Sequence, residues 1–161
     1  MKILSILLFA TLLCAEASAQ ALWQNVSVGM TSAEVSAAQP SAKPATKPDS
    51  LASGATCDLQ IASTPIDAAD YRVCFFFKNE KLTQVTLGAL GTPSKGQFDG
   101  IVTLLRAKYG PELSQGPDSL GYRAEWKVSD AVNVSVIYID KVGRLMNIVY
   151  QTRLADERNK L

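Results

Sequence analysis

From Cys57 onward the apolar residues fall largely at every second position, which is the period of a strand with one buried face. Cys57–Ala62, Tyr71–Lys78 and Lys81–Leu87 are rich in β-branched or aromatic residues and are separated by turn formers. Asn79-Glu80 is the expected tip between the last two. Three more strands are expected at Gly121–Val128, Val132–Ile139 and Arg144–Gln151. In the first of these, Tyr122, Ala124, Trp126 and Val128 alternate with Arg123, Glu125 and Lys127, apolar to one face and charged to the other. The run Cys74-Phe75-Phe76-Phe77 breaks the alternation and puts apolar bulk on both faces of one strand. Either both faces are covered there, or Phe76 is exposed as a patch of the kind that marks binding sites.

Two segments carry the 3.6-residue period instead. Thr31 is an N-cap with Glu34 three residues later, and Met30 and Val35 stand at the hydrophobic-staple positions, so a helix should run to about Ala38 and stop before Pro40. Ser94 and Gln97 repeat the capping logic, and Phe98, Ile101, Val102, Leu105 and Tyr109 share one helical face before Gly110-Pro111 ends it. Between Pro40 and Thr56 the chain is Pro, Ala, Ser, Thr, Lys and Gly without periodicity, which predicts a flexible loop at 40–56. The polar end, residues 152–161, is expected to fray.

A shift of 63 residues lays Thr31 on Ser94, Glu34 on Gln97 and Lys81–Leu87 on Arg144–Tyr150. The match predicts an α+β domain over 20–161 built as two tandem α-β-β-β repeats, about 23–90 and 91–151, that form one antiparallel sheet with helices on one side. The lead Val26-Ser27-Val28-Gly29-Met30-Thr31 into the capped helix resembles the opening of the small outer-membrane lipoproteins of the barrel-assembly machinery. The doubled plan is similar to that of the secreted β-lactamase inhibitory proteins. The chain departs from both: it has no lipidation cysteine, and the second unit lacks Gly-Met-Thr. The resemblance implies a protein-binding module of the bacterial envelope and transfers no particular partner.

The first nineteen residues bear on the compartment. Lys2, the apolar run Ile3–Leu13 and the triplet Ala17-Ser18-Ala19 have the layout of a cleavable secretory signal, with Gln20 as the first mature residue. The apolar run is shorter than the roughly 18 residues that span a bilayer, so no integral membrane segment is expected in the mature chain. A periplasmic or secreted bacterial protein follows, and in that setting Cys57 and Cys74 are expected to pair as a disulfide across a hairpin centred near Pro65-Ile66.

Composition removes several function classes. The formal net charge is +1, with Lys and Arg interleaved among Asp and Glu, so a nucleic-acid partner is not expected. Histidine is absent, which takes away the commonest general base and metal ligand. Asp67 and Asp70 are close but lie in a presumed turn, without the six or more oxygens that calcium needs. No catalytic residue, metal site or cofactor is expected. The reading is a non-catalytic exported protein that binds another protein of the envelope or outside the cell, of inhibitor, immunity or assembly-factor type. Its candidate contact residues are Arg72, Phe76, Lys78, Arg123, Glu125 and Lys127, chosen by residue type and strand alternation. The alternative is a carrier that holds a small apolar ligand between sheet and helices, lined by Phe75, Phe77, Trp126 and Tyr138. A hydrolase working with carboxylates alone ranks third.

Overall fold

The computed structural model describes residues 20–153. The expected signal segment and most of the expected frayed end lie outside the described residues. Thr152 is still paired, opposite Val132, in the last strand.

Among the described residues the elements run β1 (Ala21–Trp23), β2 (Val26–Ser27), α1 (Ser32–Ala38), β3 (Lys43–Pro44), β4 (Thr56–Ile66), β5 (Ala69–Lys78) and β6 (Lys81–Ala89), followed by α2 (Lys95–Tyr109), β7 (Ser114–Pro117), β8 (Gly121–Lys127), β9 (Val132–Ile139) and β10 (Leu145–Thr152). β1 and β2 form a small hairpin; the rest form one antiparallel sheet in the order β3-β4-β5-β6-β10-β9-β8-β7. β4, β5 and β6 are joined by tight turns, one of them at Asn79-Glu80, where both residues have positive φ. The chain then passes through α2, meanders through β7 to β10, and closes the sheet by pairing β10 with β6, Ile148 opposite Leu87.

This architecture corrects the expected fold class. Strands take 49% of the described residues and helix 17%, so the molecule is mainly β and not an α+β pair of tandem α-β-β-β repeats. The two helices are not equivalent units: α1 has 7 residues and buries Val35, whereas α2 has 15 and buries Phe98, Ile101, Val102 and Leu105. The sheet has eight strands where six were expected, because Lys43–Pro44 and Ser114–Pro117 pair as edge strands. Neither segment has β-forming residues; pairing with a neighbour makes them strands.

Local chemistry sets both helix starts. Thr31 Oγ1 accepts from the Glu34 amide, and the Glu34 carboxylate accepts from the Thr31 amide at 2.7 Å. Ser94 and Gln97 make the same reciprocal pair. Accepting those bonds holds the Glu34 carboxyl below its ordinary pKa, the Thr31 backbone amide being the larger cause. Gly110 ends α2 at φ +84°.

The core lies between the helices, the β1–β2 hairpin and one face of the sheet. That face supplies Tyr71, Val73, Phe75 and Phe77 from β5, Leu82, Val85 and Leu87 from β6, Val132, Val134, Val136 and Tyr138 from β9, and Met146, Ile148 and Tyr150 from β10. Burying each aliphatic side chain of α2 contributes about 1.5–3 kcal/mol relative to leaving it in water. Trp126, fully buried, donates its indole N–H to the Gly110 carbonyl at 3.1 Å and so ties β8 to the end of α2.

Cys57 and Cys74 are disulfide-bonded, with Cα atoms 5.7 Å apart. The β4–β5 turn is at Asp67-Ala68, beyond the expected centre, and register shifts between Cys57 and Leu59 set Cys57 opposite Phe76 and Cys74 opposite Gln60. The bridge therefore runs diagonally across the pair. Such a bond suits an oxidising compartment.

Removing it with Cys57→Ser or Cys74→Ser should lower stability by about 3 kcal/mol, the chain-entropy value for a loop near this length, read as a lower urea midpoint. A midpoint unchanged on substitution would count against the stapling role. Burial pushes the Tyr71 phenol up to about 12, and burial, then Tyr109, pushes Tyr150 further up. Both phenols stay neutral in the folded chain where unfolded tyrosine ionises, so stability should fall as pH rises from about 10 to about 12. Absorbance titration should show a late phase of tyrosinate formation that coincides with unfolding, reduced in Tyr71→Phe and in Tyr150→Phe.

Candidate binding face

Because side chains alternate along each strand, the residues between the core positions all point to the opposite face of the sheet. Cross-strand pairing assembles them into a lattice. Arg72, Gly88, Asn147, Ile137 and Arg123 lie in one row; Cys74, Thr86, Val149, Ser135 and Glu125 lie in the next. A third row holds Phe76, Gln84, Gln151, Asn133 and Lys127. The nine positions on β6, β10 and β9 within these rows carry no charge: they are Gly, Thr, Val, Ile, Ser, Asn and Gln. Charged residues stand on either side, on β5 and on β8.

Part of this face is covered. Residues 45–55, expected as a flexible loop, cross it as a flap with fixed partners. The Ala45 amide donates to Asp58, the Cys57 amide to Asp49, and Leu51 and Gly54 close a turn with Ala55. Lys78 Nζ donates to the Ser53 carbonyl at 2.6 Å, and Arg72 meets Asp49 at 3.0 Å. Beneath the flap Cys57, Cys74 and Phe76 form a second apolar cluster with Ala55 of the flap, and Leu51 and Ala45 pack on it. Composition does not reveal this order, because Ala45, Leu51 and Ala55 find the apolar surface they pack on in β4 and β5.

Both faces of β5 are thereby covered at Phe75-Phe76-Phe77. Phe76 is 4% exposed and supports the flap instead of standing free. Arg72, Phe76 and Lys78 gather at the flap, while Arg123, Glu125 and Lys127 lie on β8, four strand spacings or about 19 Å away. The two groups are one face but not one cluster. On β8, Arg123 lies 3.5 Å from both Asp118 and Glu125, and Lys127 lies 2.7 Å from Asp130. Backbone N–H donation from Leu120 holds the Asp118 carboxyl below its usual pKa, with lesser help from Gly121 and Arg123. The Lys127 ammonium does the same for Asp130.

A groove of about 300 Å³ runs between the flap and the floor of the face, lined by Asp49, Leu51, Arg72, Phe76, Thr86, Gly88, Asn147 and Val149 among others. A smaller one, about 140 Å³, lies at the β8–β9–β10 end beside Glu125, Lys127 and Ser135. The residues proposed to line a carrier's cavity, Phe75, Phe77, Trp126 and Tyr138, are 0–4% exposed and packed into the core with α2. On the helix side an apolar cleft of about 210 Å³ lies between α2 and Trp23, below the usual size of ligand pockets.

Sequence alternation had marked the flanking charges; it had not marked the neutral floor. Gln84, Thr86 and Gly88 stand at polar positions of an evident strand, but only the β6–β10 pairing places them beside Asn147 and Val149. Among the described residues no group of three or more His, Cys, Asp or Glu is placed to hold a metal ion, and no helix is long and apolar enough to cross a membrane. No family model, curated protein or solved structure matches this chain.

If Phe76 is the flap's support, Phe76→Ala should cost about 3–5 kcal/mol, as for other buried Phe truncations. Breaking the exposed Arg72–Asp49 pair should cost about 1 kcal/mol or less, since both side chains are half in water. Urea unfolding of Phe76→Ala, Arg72→Ala and Asp49→Ala compares the two; equal losses would contradict the assignment.

Proposed function

We propose that this chain is an exported, non-catalytic protein that binds another protein through the open face of its sheet, in the periplasm or outside the cell. The observation that carries the reading is the neutral strip on β6, β10 and β9, half-buried except at the buried Ser135 and Val149, between the charged residues of β5 and β8. A neutral centre with a charged, hydrated rim is the anatomy of a protein interface, where charges are depleted from the core and kept at the edge. The rim contributes Arg72 and Lys78 on one side and Arg123, Glu125 and Lys127 on the other. Export is supported by the layout of the first nineteen residues and by the disulfide. An inhibitor, an immunity protein or an assembly factor would each use such a face without chemistry of its own.

The test is cross-linked capture from the producing cell's envelope and culture fluid, with the disulfide-intact protein as bait. A single protein should be recovered near stoichiometrically. Recovery should fall by roughly tenfold, equivalent to about 1.4 kcal/mol, in the double reversal Arg123→Glu and Lys127→Glu, with the native circular dichroism spectrum retained. No specific capture, or equal capture by the reversed variant, would contradict this placement of the interface.

A further inference from the structure

We infer that the groove beside the flap is a pit for one uncharged, apolar side chain carried by a loop of the partner protein, and that Gly88 is the residue that opens it. The inference rests on the protein-binding reading above and specifies what that face takes.

Gly88 lies inside β6 and is paired on both sides, with Arg72 and with Asn147. Glycine in a strand interior is unfavourable, and it marks either a bulge, a positive φ or a place where something approaches the backbone closely. Neither of the first two applies: φ at Gly88 is not positive, and the shift in the β5–β6 register is at Phe76/Phe77. Internal crowding does not require it either. A Cβ there would meet only the Asn147 side-chain oxygen, at 3.2 Å, the movable end of a side chain. At Gly121, by contrast, a Cβ would lie 2.0 Å from the Tyr138 backbone oxygen, so the fold itself demands glycine. What glycine at 88 leaves open is the groove.

The groove's chemistry selects its occupant. Its volume, about 300 Å³, is at the small end for pockets that hold free ligands and suits a side chain delivered on a loop. Leu51, Phe76 and Val149 give it apolar walls. Among the described residues its ionised groups, Arg72 and Asp49, are paired with each other at 3.0 Å, so an entering charge would meet no net opposite charge and would lose water. In the lining the half-buried Asn147 carboxamide makes no side-chain hydrogen bond among the described residues, and it offers both a donor and an acceptor. A peptide group of the incoming loop matches that pair.

The test is a ¹⁵N–¹H NMR titration of the disulfide-intact protein with capped amino acids. N-acetyl-leucine and N-acetyl-phenylalanine N-methylamides should give saturable shifts centred on Thr86, Gly88, Asn147 and Val149. The aspartate and lysine analogues should not. Gly88→Val, which fills the pit and suits a strand, should abolish the response; Gly88→Ala should weaken it by roughly tenfold and serves if the larger substitution impairs folding. Equal response to charged probes, or an undiminished response in both variants, overturns the pit. Capture of a partner equally by the native protein and Gly88→Val keeps the binding reading and overturns the pit. Probe binding at Gly88 without any captured partner keeps an apolar pit there and overturns both the protein-binding reading and the assignment of the pit to a partner's loop.

Discussion

The pairing of β10 with β6 is the interaction on which the remaining architecture depends. Without it the chain would be two meanders, β4 to β6 and β7 to β10, each with a long unpaired edge. With it, Gln84 to Gly88 and Asn147 to Gln151 become the central strands of one sheet, and the outermost strands among the described residues are the short β3 and β7. The connection through α2 has to travel from the end of β6 to the far edge at β7. It does so across the apolar face, where Phe98, Ile101, Val102 and Leu105 meet residues from both meanders. The core is therefore shared, and neither half can bury its apolar face alone.

One face of the sheet pays for stability and the other is left for contact. On the packed face the side chains are aromatic and aliphatic and nearly all are buried. On the opposite face, among the described residues, the flap covers the β4–β5 corner over Phe76 and the disulfide. The disulfide fixes the corner that carries the flap, and the flap in turn forms one wall of the groove at Gly88. Neutral residues at the centre and ion pairs at the margins follow from the same arrangement: half-buried positions tolerate amides and hydroxyls, while the charges stay where water solvates them.

Much of this was legible locally and little of it at long range. The capping residues Thr31, Glu34, Ser94 and Gln97 announced both helices because their partners are three residues away. The hairpin tip at Asn79-Glu80 and the apolar face of α2 were readable for the same reason. The edge strands at Lys43–Pro44 and Ser114–Pro117 were not, since nothing in their composition favours a strand. Nor was the covering of Phe76, which needs a flap from another part of the chain. The matching of Thr31 with Ser94 and of Lys81–Leu87 with Arg144–Tyr150 suggested a doubled helix-plus-strands plan. The unequal helices and the added edge strands show that the strand alternation was the part of that match with structural weight. Candidate contact residues were chosen as charges on alternating positions, which found the rim; the floor between them emerged only from strand order.

Native-state hydrogen exchange followed by NMR tests the single-sheet account most directly. Amides of Gln84–Gly88 and Asn147–Gln151 that bond across β6 and β10 should exchange only through global unfolding, with one common free energy for both strands. Exchange there that is faster than in the β4–β5 and β8–β9 pairs would mean that the two meanders separate independently, and would contradict the shared core.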